Sequence, residues 1–71
     1  MERVTVQSSM ITSVGYDRGS ATLEVEFRES GIYQYYGVPP ELHEGLLNAG
    51  SKGSYLNQFI KRGGYPCTKV G

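Results

Sequence analysis

The run Ser51-Lys52-Gly53-Ser54-Tyr55-Leu56-Asn57 sets hydroxyls, an ammonium and a carboxamide around a glycine. At the start of a helix these groups would stand beside unpaired backbone N–H donors and a partial positive charge. That combination suits a phosphate or carboxylate. Gly53 would let an anion approach the backbone closely. The plainer account is that Ser51 caps the helix and Lys52 is solvated. The G-x-x-x-x-G-K-[ST] spacing of a P-loop is absent, so nucleotide hydrolysis is not implied. Lys61 and Arg62 follow at the far end of the same helix, where they complement its dipole and could meet a second phosphate.

Tyr33, Tyr35 and Tyr36 form the second constellation. Aromatic rings displayed on a sheet can stack bases, as in single-strand RNA-binding sheets. Alternatively Tyr33 and Tyr35, which share one face, pack beneath helices with their hydroxyls at the rim. Tyr36, on the other face, is the better candidate for an exposed ring. His43 falls off the leucine face of its helix and reads as solvated, with no triad around it. Glu24 and Glu26 share one strand face between Thr22 and Arg28 and read as a wet sheet surface. Cys67 has no neighbouring base to activate it. One cysteine and one histidine make neither a disulfide framework nor a zinc site. No catalytic residue, metal ligand or cofactor is assigned.

The elements that position these groups follow from periodicity. Ser9 to Tyr16 alternates Met10, Thr12, Val14 and Tyr16 against Ser9, Ile11, Ser13 and Gly15, which reads as a strand. Asp17-Arg18-Gly19-Ser20 supplies turn chemistry. Ala21 to Arg28 places Leu23, Val25 and Phe27 on a core face and Thr22, Glu24, Glu26 and Arg28 on a wet one. Glu29-Ser30-Gly31 closes a hairpin into a third strand, Ile32 to Val38. Pro39-Pro40 ends it. Glu41 to Ala49 carries Leu42, Leu46 and Leu47 at helical spacing, and Gly50 stops it. A second helix, Lys52 to Arg62, presents Tyr55/Phe59 and Leu56/Ile60 as adjacent rows before Gly63-Gly64. The expected fold is α+β: a three-stranded antiparallel meander, then two short helices packed on one sheet face, with Tyr65 to Gly71 as a tail able to add a short strand.

Seventy-one residues make one domain, 1–71, with little apolar surface to bury. Seven basic and seven acidic residues cancel, which counts against a binder of long duplexes. The charge is uneven: residues 1–40 hold three basic against five acidic, and residues 41–71 hold four against two. Any anion site is therefore expected in the second half. Met1 leads into charged and polar residues, and no apolar run is long enough to cross a bilayer. A cytoplasmic location and no membrane partner are the expectation.

Taken together, S-S-x-I-x-x-V-G-Y-D at Ser8 to Asp17, T-L-E-V-E-F at Thr22 to Phe27, G-x-Y-x-Y-x-x-V-P at Gly31 to Pro39, and A-x-S-K-G-x-Y-x-N-x-x-I-K at Ala49 to Lys61 resemble the KTSC domain. The match covers about fifty of the seventy-one residues in order. That family is named for its place at the C-terminus of some lysyl-tRNA synthetases, and occurs as short free-standing proteins in bacteria and phages. The resemblance implies an accessory binding domain, with Tyr33 and Tyr35 as its central Y-x-Y and Ser51-Lys52-Gly53 as its helix-start motif. The expectation is a non-catalytic module that binds RNA, or a small nucleotide signal that it sequesters as a phage-type sponge, with a homo-oligomer able to enclose the ligand. The alternative is a protein-interaction module using a sheet edge and exposed aromatics.

Overall fold

The central strand runs Thr22–Phe27. In a computed structural model describing residues 1–71, this strand, β3, sits in the middle of a five-stranded antiparallel sheet ordered β1-β2-β3-β4-β5. Its neighbours are β2 (Ile11–Asp17) and β4 (Gly31–Tyr36). Leu23 and Val25 are fully buried and Phe27 nearly so, as their alternation requires. The β2–β3 turn is built by Asp17, whose carboxylate accepts from the Gly19 N–H at 3.1 Å and the Ser20 hydroxyl at 2.9 Å.

Two strands go beyond the expected meander. The tail does add one, β5 (Cys67–Lys69), paired with β4 through Tyr33, Gln34 and Tyr35. The other, β1 (Arg3–Thr5), pairs with β2 on the opposite edge. Gly15 admits it: a Cβ there would lie 2.5 Å from the Glu2 carbonyl oxygen. The period of β2 also breaks. Ile11 pairs with Phe27 while Ser13 pairs with Glu26, so Thr12 is an extra residue. That bulge turns Ile11 and Val14 to the same core side, where both are fully buried.

The surface of β3 expected to be wet is covered at Thr22 and Glu24, half-covered at Glu26 and open at Arg28. Thr22 is buried with Asp17 and Tyr36 as its cross-strand neighbours, and Glu24 is buried beneath Arg3 of β1 and Gln34 of β4. The Arg3 guanidinium pairs with the Glu24 carboxylate, and its Nε donates to Ser13 Oγ at 3.0 Å. Gln34 Nε2 donates to Glu24 at 2.8 Å, and Ser13 Oγ to Glu26 at 2.9 Å. A buried carboxylate needs this many partners, since leaving one unpaired costs several kcal/mol.

On the other face lie α1 (Pro40–Asn48), α2 (Lys52–Tyr55) and a π-wound segment (Leu56–Lys61). Leu46, Leu56, Ile60 and Val38 are fully buried against Ile11, Val14, Leu23 and Val25. Pro40 opens α1, as its missing N–H allows; the helix ends one residue before Ala49, which is extended and forms the C-cap. The second helix is not α-helical throughout. Arg62 N–H reaches back to the Asn57 carbonyl at 3.2 Å, an i→i−5 bond. Leu56 and Ile60 are fully buried and Phe59 stays at the surface. No helix is long and apolar enough to cross a membrane.

Candidate functional site

Where the π-wound segment passes the sheet edge, a cleft of about 430 Å3 opens between Phe27, Tyr33, Tyr35, Met10, Tyr65 and Lys61. Phe27 and Tyr33 meet edge to face, with ring centres 5.6 Å apart. The Lys61 ammonium stands over the Phe27 ring, 5.1 Å from its centre. Arg28, Glu29 and Ser30 of the β3–β4 turn form one rim, and Cys67 of β5 another. Tyr35 is 4 % exposed and belongs to the core, yet it reaches this cleft. Burial pushes its phenol up to about 12, with Cys67 and Tyr33 acting in the same direction, so it stays a neutral donor.

Two polar clefts adjoin the aromatic one. Ser54, Asn57, Gln58, Lys61 and Arg62 line a groove of about 410 Å3, with Lys61 as the residue it shares with the aromatic cleft. Ser51, Lys52, Gly53, Ser54 and Asn57 line a smaller one of about 230 Å3 against Gln7 to Met10. Ser9 and Met10 join that second pocket to the aromatic cleft. Nine of the ten residues singled out from sequence therefore fall on one continuous surface. The tenth, Tyr36, lies on the opposite sheet face, where its hydroxyl donates to Gln34 at 3.2 Å and its ring is half-buried rather than displayed.

Within that surface the roles differ from those the helix-start motif suggested. Ser51 is the cap: its hydroxyl accepts from the Ser54 N–H at 3.4 Å. Lys52 is turned inward, its ammonium donating to the Ala49 carbonyl at 3.0 Å. Gly53 is buried against a thioether; a Cβ would lie 2.5 Å from Met10 Sδ. The close approach this glycine permits is to Met10. Ser54, Asn57, Lys61 and Arg62 keep polar side-chain atoms free of hydrogen bonds or ion pairs within the chain and are the groups able to meet a phosphate.

Sequence reasoning passed over Phe27, Met10 and Tyr65 as cleft residues. Gly63-Gly64 is the signal that could have found Tyr65. Gly64 adopts φ +78° and Gly63 accepts the Tyr65 ring so closely that a Cβ would sit 2.6 Å from it. His43, expected in solvent, stacks on Tyr16 with ring centres 4.8 Å apart and planes 13° from parallel. Burial lowers its pKa, the Glu44 carboxylate opposing and Arg18 reinforcing.

A family model of the KTSC domain matches residues 7–65, from the approach to β2 through Tyr65. The chain belongs to the KTSC domain family. Among solved structures, a KTSC domain protein from Yersinia pestis superposes with a TM-score of 0.94 at 46 % identity, over 99 % of this chain and 97 % of that one. A protein of Stutzerimonas stutzeri, described only as uncharacterized, is 48 % identical over 61 residues, 86 % of either chain. A lysine–tRNA ligase of Nostoc punctiforme is 42 % identical over 55 residues, which is 78 % of this chain but 10 % of that enzyme. The KTSC match contains α2, the π-wound segment and every aromatic wall of the cleft; β1 and β5 lie outside it.

Proposed function

We propose that this KTSC domain is a non-catalytic binding module for RNA or nucleotide phosphates. One observation carries the reading: an aromatic cleft shares Lys61 with a polar groove that also holds Ser54, Asn57 and Arg62. A ring stacked among Phe27, Tyr33 and Tyr65 would have its phosphate within reach of the two cations, the arrangement by which single-stranded nucleic acids are held. The similarity to part of a lysine–tRNA ligase supports RNA. The zero net charge supports a short contact, of one or a few nucleotides, over an extended basic track. A small nucleotide signal sequestered by the domain is the same chemistry at its smallest size, and a second copy of the chain could complete its enclosure.

The test is NMR titration of the isotope-labelled protein with short single-stranded RNA, adenine mononucleotides and cyclic di- and trinucleotides. Shifts should concentrate on Phe27, Tyr33, Asn57, Lys61 and Tyr65 and vanish in Lys61→Glu/Arg62→Glu. Shifts gathered instead along β1, or none with any nucleotide, would reject the reading. A protein-interaction role has one observation of its own. All three residues of β1 are exposed, with Val4 at 62 % on a free sheet edge, and a partner strand docked there would ignore Lys61.

A further inference from the structure

Of the six tyrosines Tyr35 is the one fully in the core, and the hydroxyls of two others are bound within the chain. Tyr16 donates to the Val38 carbonyl and Tyr36 to Gln34. Tyr35 is different. It is 96 % shielded, since only 4 % of its surface is exposed, and no group of the protein accepts from its hydroxyl. The hydroxyl is not sealed in the core either, because every fully enclosed side-chain polar atom has a partner. It opens into the aromatic cleft, with Cys67 beside it on the paired strand.

We infer that Tyr35 is the specificity-determining residue at the floor of this cleft, donating a hydrogen bond to an acceptor on the edge of a flat heteroaromatic ring. This rests on reading the cleft as the base-binding part of the interface, and it names what that part selects. The walls fit a ring: Phe27 and Tyr33 are fixed edge to face, Tyr65 is set over Gly63, and about 430 Å3 accommodates one base-sized group but not a folded helix. An aliphatic chain or purely apolar ring would fill the same volume and leave the Tyr35 donor unmatched deep in an apolar surface, which costs more than the bond itself returns. A ring with a carbonyl or ring-nitrogen acceptor removes that penalty. Because the phenol sits well above neutrality, its proton is available across the physiological range.

The deciding experiment compares two rings of one shape, quinoline and naphthalene, titrated by NMR into the wild-type protein and Tyr35→Phe. Quinoline should shift Phe27, Tyr33 and Tyr65 in the wild type and bind the variant about three- to tenfold more weakly, the worth of one neutral hydrogen bond. Naphthalene should bind the wild type more weakly than quinoline does and should bind Tyr35→Phe more tightly than the wild type, because the variant no longer holds a donor that this ring leaves unmatched. Equal loss for both rings, no loss for either, or quinoline shifts away from the cleft would overturn the assignment. Tyr35→Phe removes only a hydroxyl and should melt no lower than the wild type. If it does not fold, the wild-type ranking decides: naphthalene binding as tightly as quinoline also overturns it. A nucleotide arm with Lys61→Glu separates the two readings. Quinoline selected through Tyr35, with no nucleotide bound, retains the donor assignment and rejects the phosphate reading.

Discussion

The ammonium of Lys61 stands 5.1 Å from the centre of the Phe27 ring, tying the last residue of the π-wound segment to the last residue of β3. Both ends of this contact are useful to a ligand. The ring offers a face or edge to stack on, and the charge remains accessible because Lys61 is exposed.

Replacing Lys61 with Met should therefore weaken short single-stranded RNA more than it destabilises the fold. Loss of one phosphate contact should reduce the slope of log affinity against log salt by about 0.7. The thermal midpoint should move little, since an exposed cation–π pair is worth about 0.5–1 kcal/mol. Binding measured at several salt concentrations checks this; an unchanged slope removes Lys61 from the interface.

Lys52 should behave oppositely. Its ammonium already donates to the Ala49 carbonyl at the α1–α2 junction. Lys52→Met should cost roughly 1 kcal/mol of stability, the scale of one hydrogen bond, and change nucleotide affinity less than Lys61→Met does. Chemical denaturation beside a binding isotherm tests the pair.

Gly45 lies under the Tyr55 ring. A Cβ at this position would be 2.0 Å from the Tyr55 hydroxyl oxygen and 2.6 Å from Cζ. Alanine ordinarily improves a helix interior by up to about 1 kcal/mol over glycine. Here the overlap should win, because Tyr55 is itself packed on Phe59 with ring centres 4.6 Å apart and has to move as a rigid ring. Gly45→Ala should destabilise by about 1–3 kcal/mol, read as a lowered denaturation midpoint. A gain in stability would show that α1 and α2 separate easily.

The fold should also lose stability in acid through Glu24. The Gln34 hydrogen bond chiefly, and Arg3 after it, hold its carboxyl below the ordinary 4.5, against the opposing effect of burial. A carboxyl lowered in the native state stabilises fully above its unfolded value and loses that contribution as pH falls through the native one. His43, lowered by burial, acts in the same sense at higher pH: below 6.5 the unfolded chain takes up the proton first. Melting from about pH 7 down to about pH 3 should show a falling midpoint. Glu24→Gln should flatten the acid end and His43→Phe, which keeps the stack on Tyr16, the upper part. Unchanged profiles would remove both groups from the linkage.

Much of the candidate site was visible before the fold. Lys61, Arg62, Asn57 and Ser54 were marked by type and by their place on one helix, and they do line one groove. Lys52 was marked by the same signals and is used internally, because the carbonyl of Ala49 lies within its reach and nothing local reveals that. Phe27 read as core from its alternation. Its ring is nearly buried, but its edge borders the cleft with Tyr33, a double role that periodicity does not encode.

What the amino-acid sequence determined by itself is what neighbours along the chain decide. Leu23, Val25 and Phe27 alternate at the pleat's period, Asp17 bonds its own turn, Pro40 starts α1, and Ser51 caps α2. Only the tertiary structure decided how much of the polar side of β3 is covered. Glu24 is buried because Arg3, 21 residues away, arrives on β1, and Gln34, 10 residues away, arrives on β4. The bulge at Thr12, the π winding at Leu56–Lys61 and the Met10–Gly53 contact have the same origin. Each depends on contacts between segments far apart along the chain, as when the bulge lets Ile11 and Val14 share one core. The free energy of that burial outweighs local preference, and it depends on partners that no short window of the chain contains.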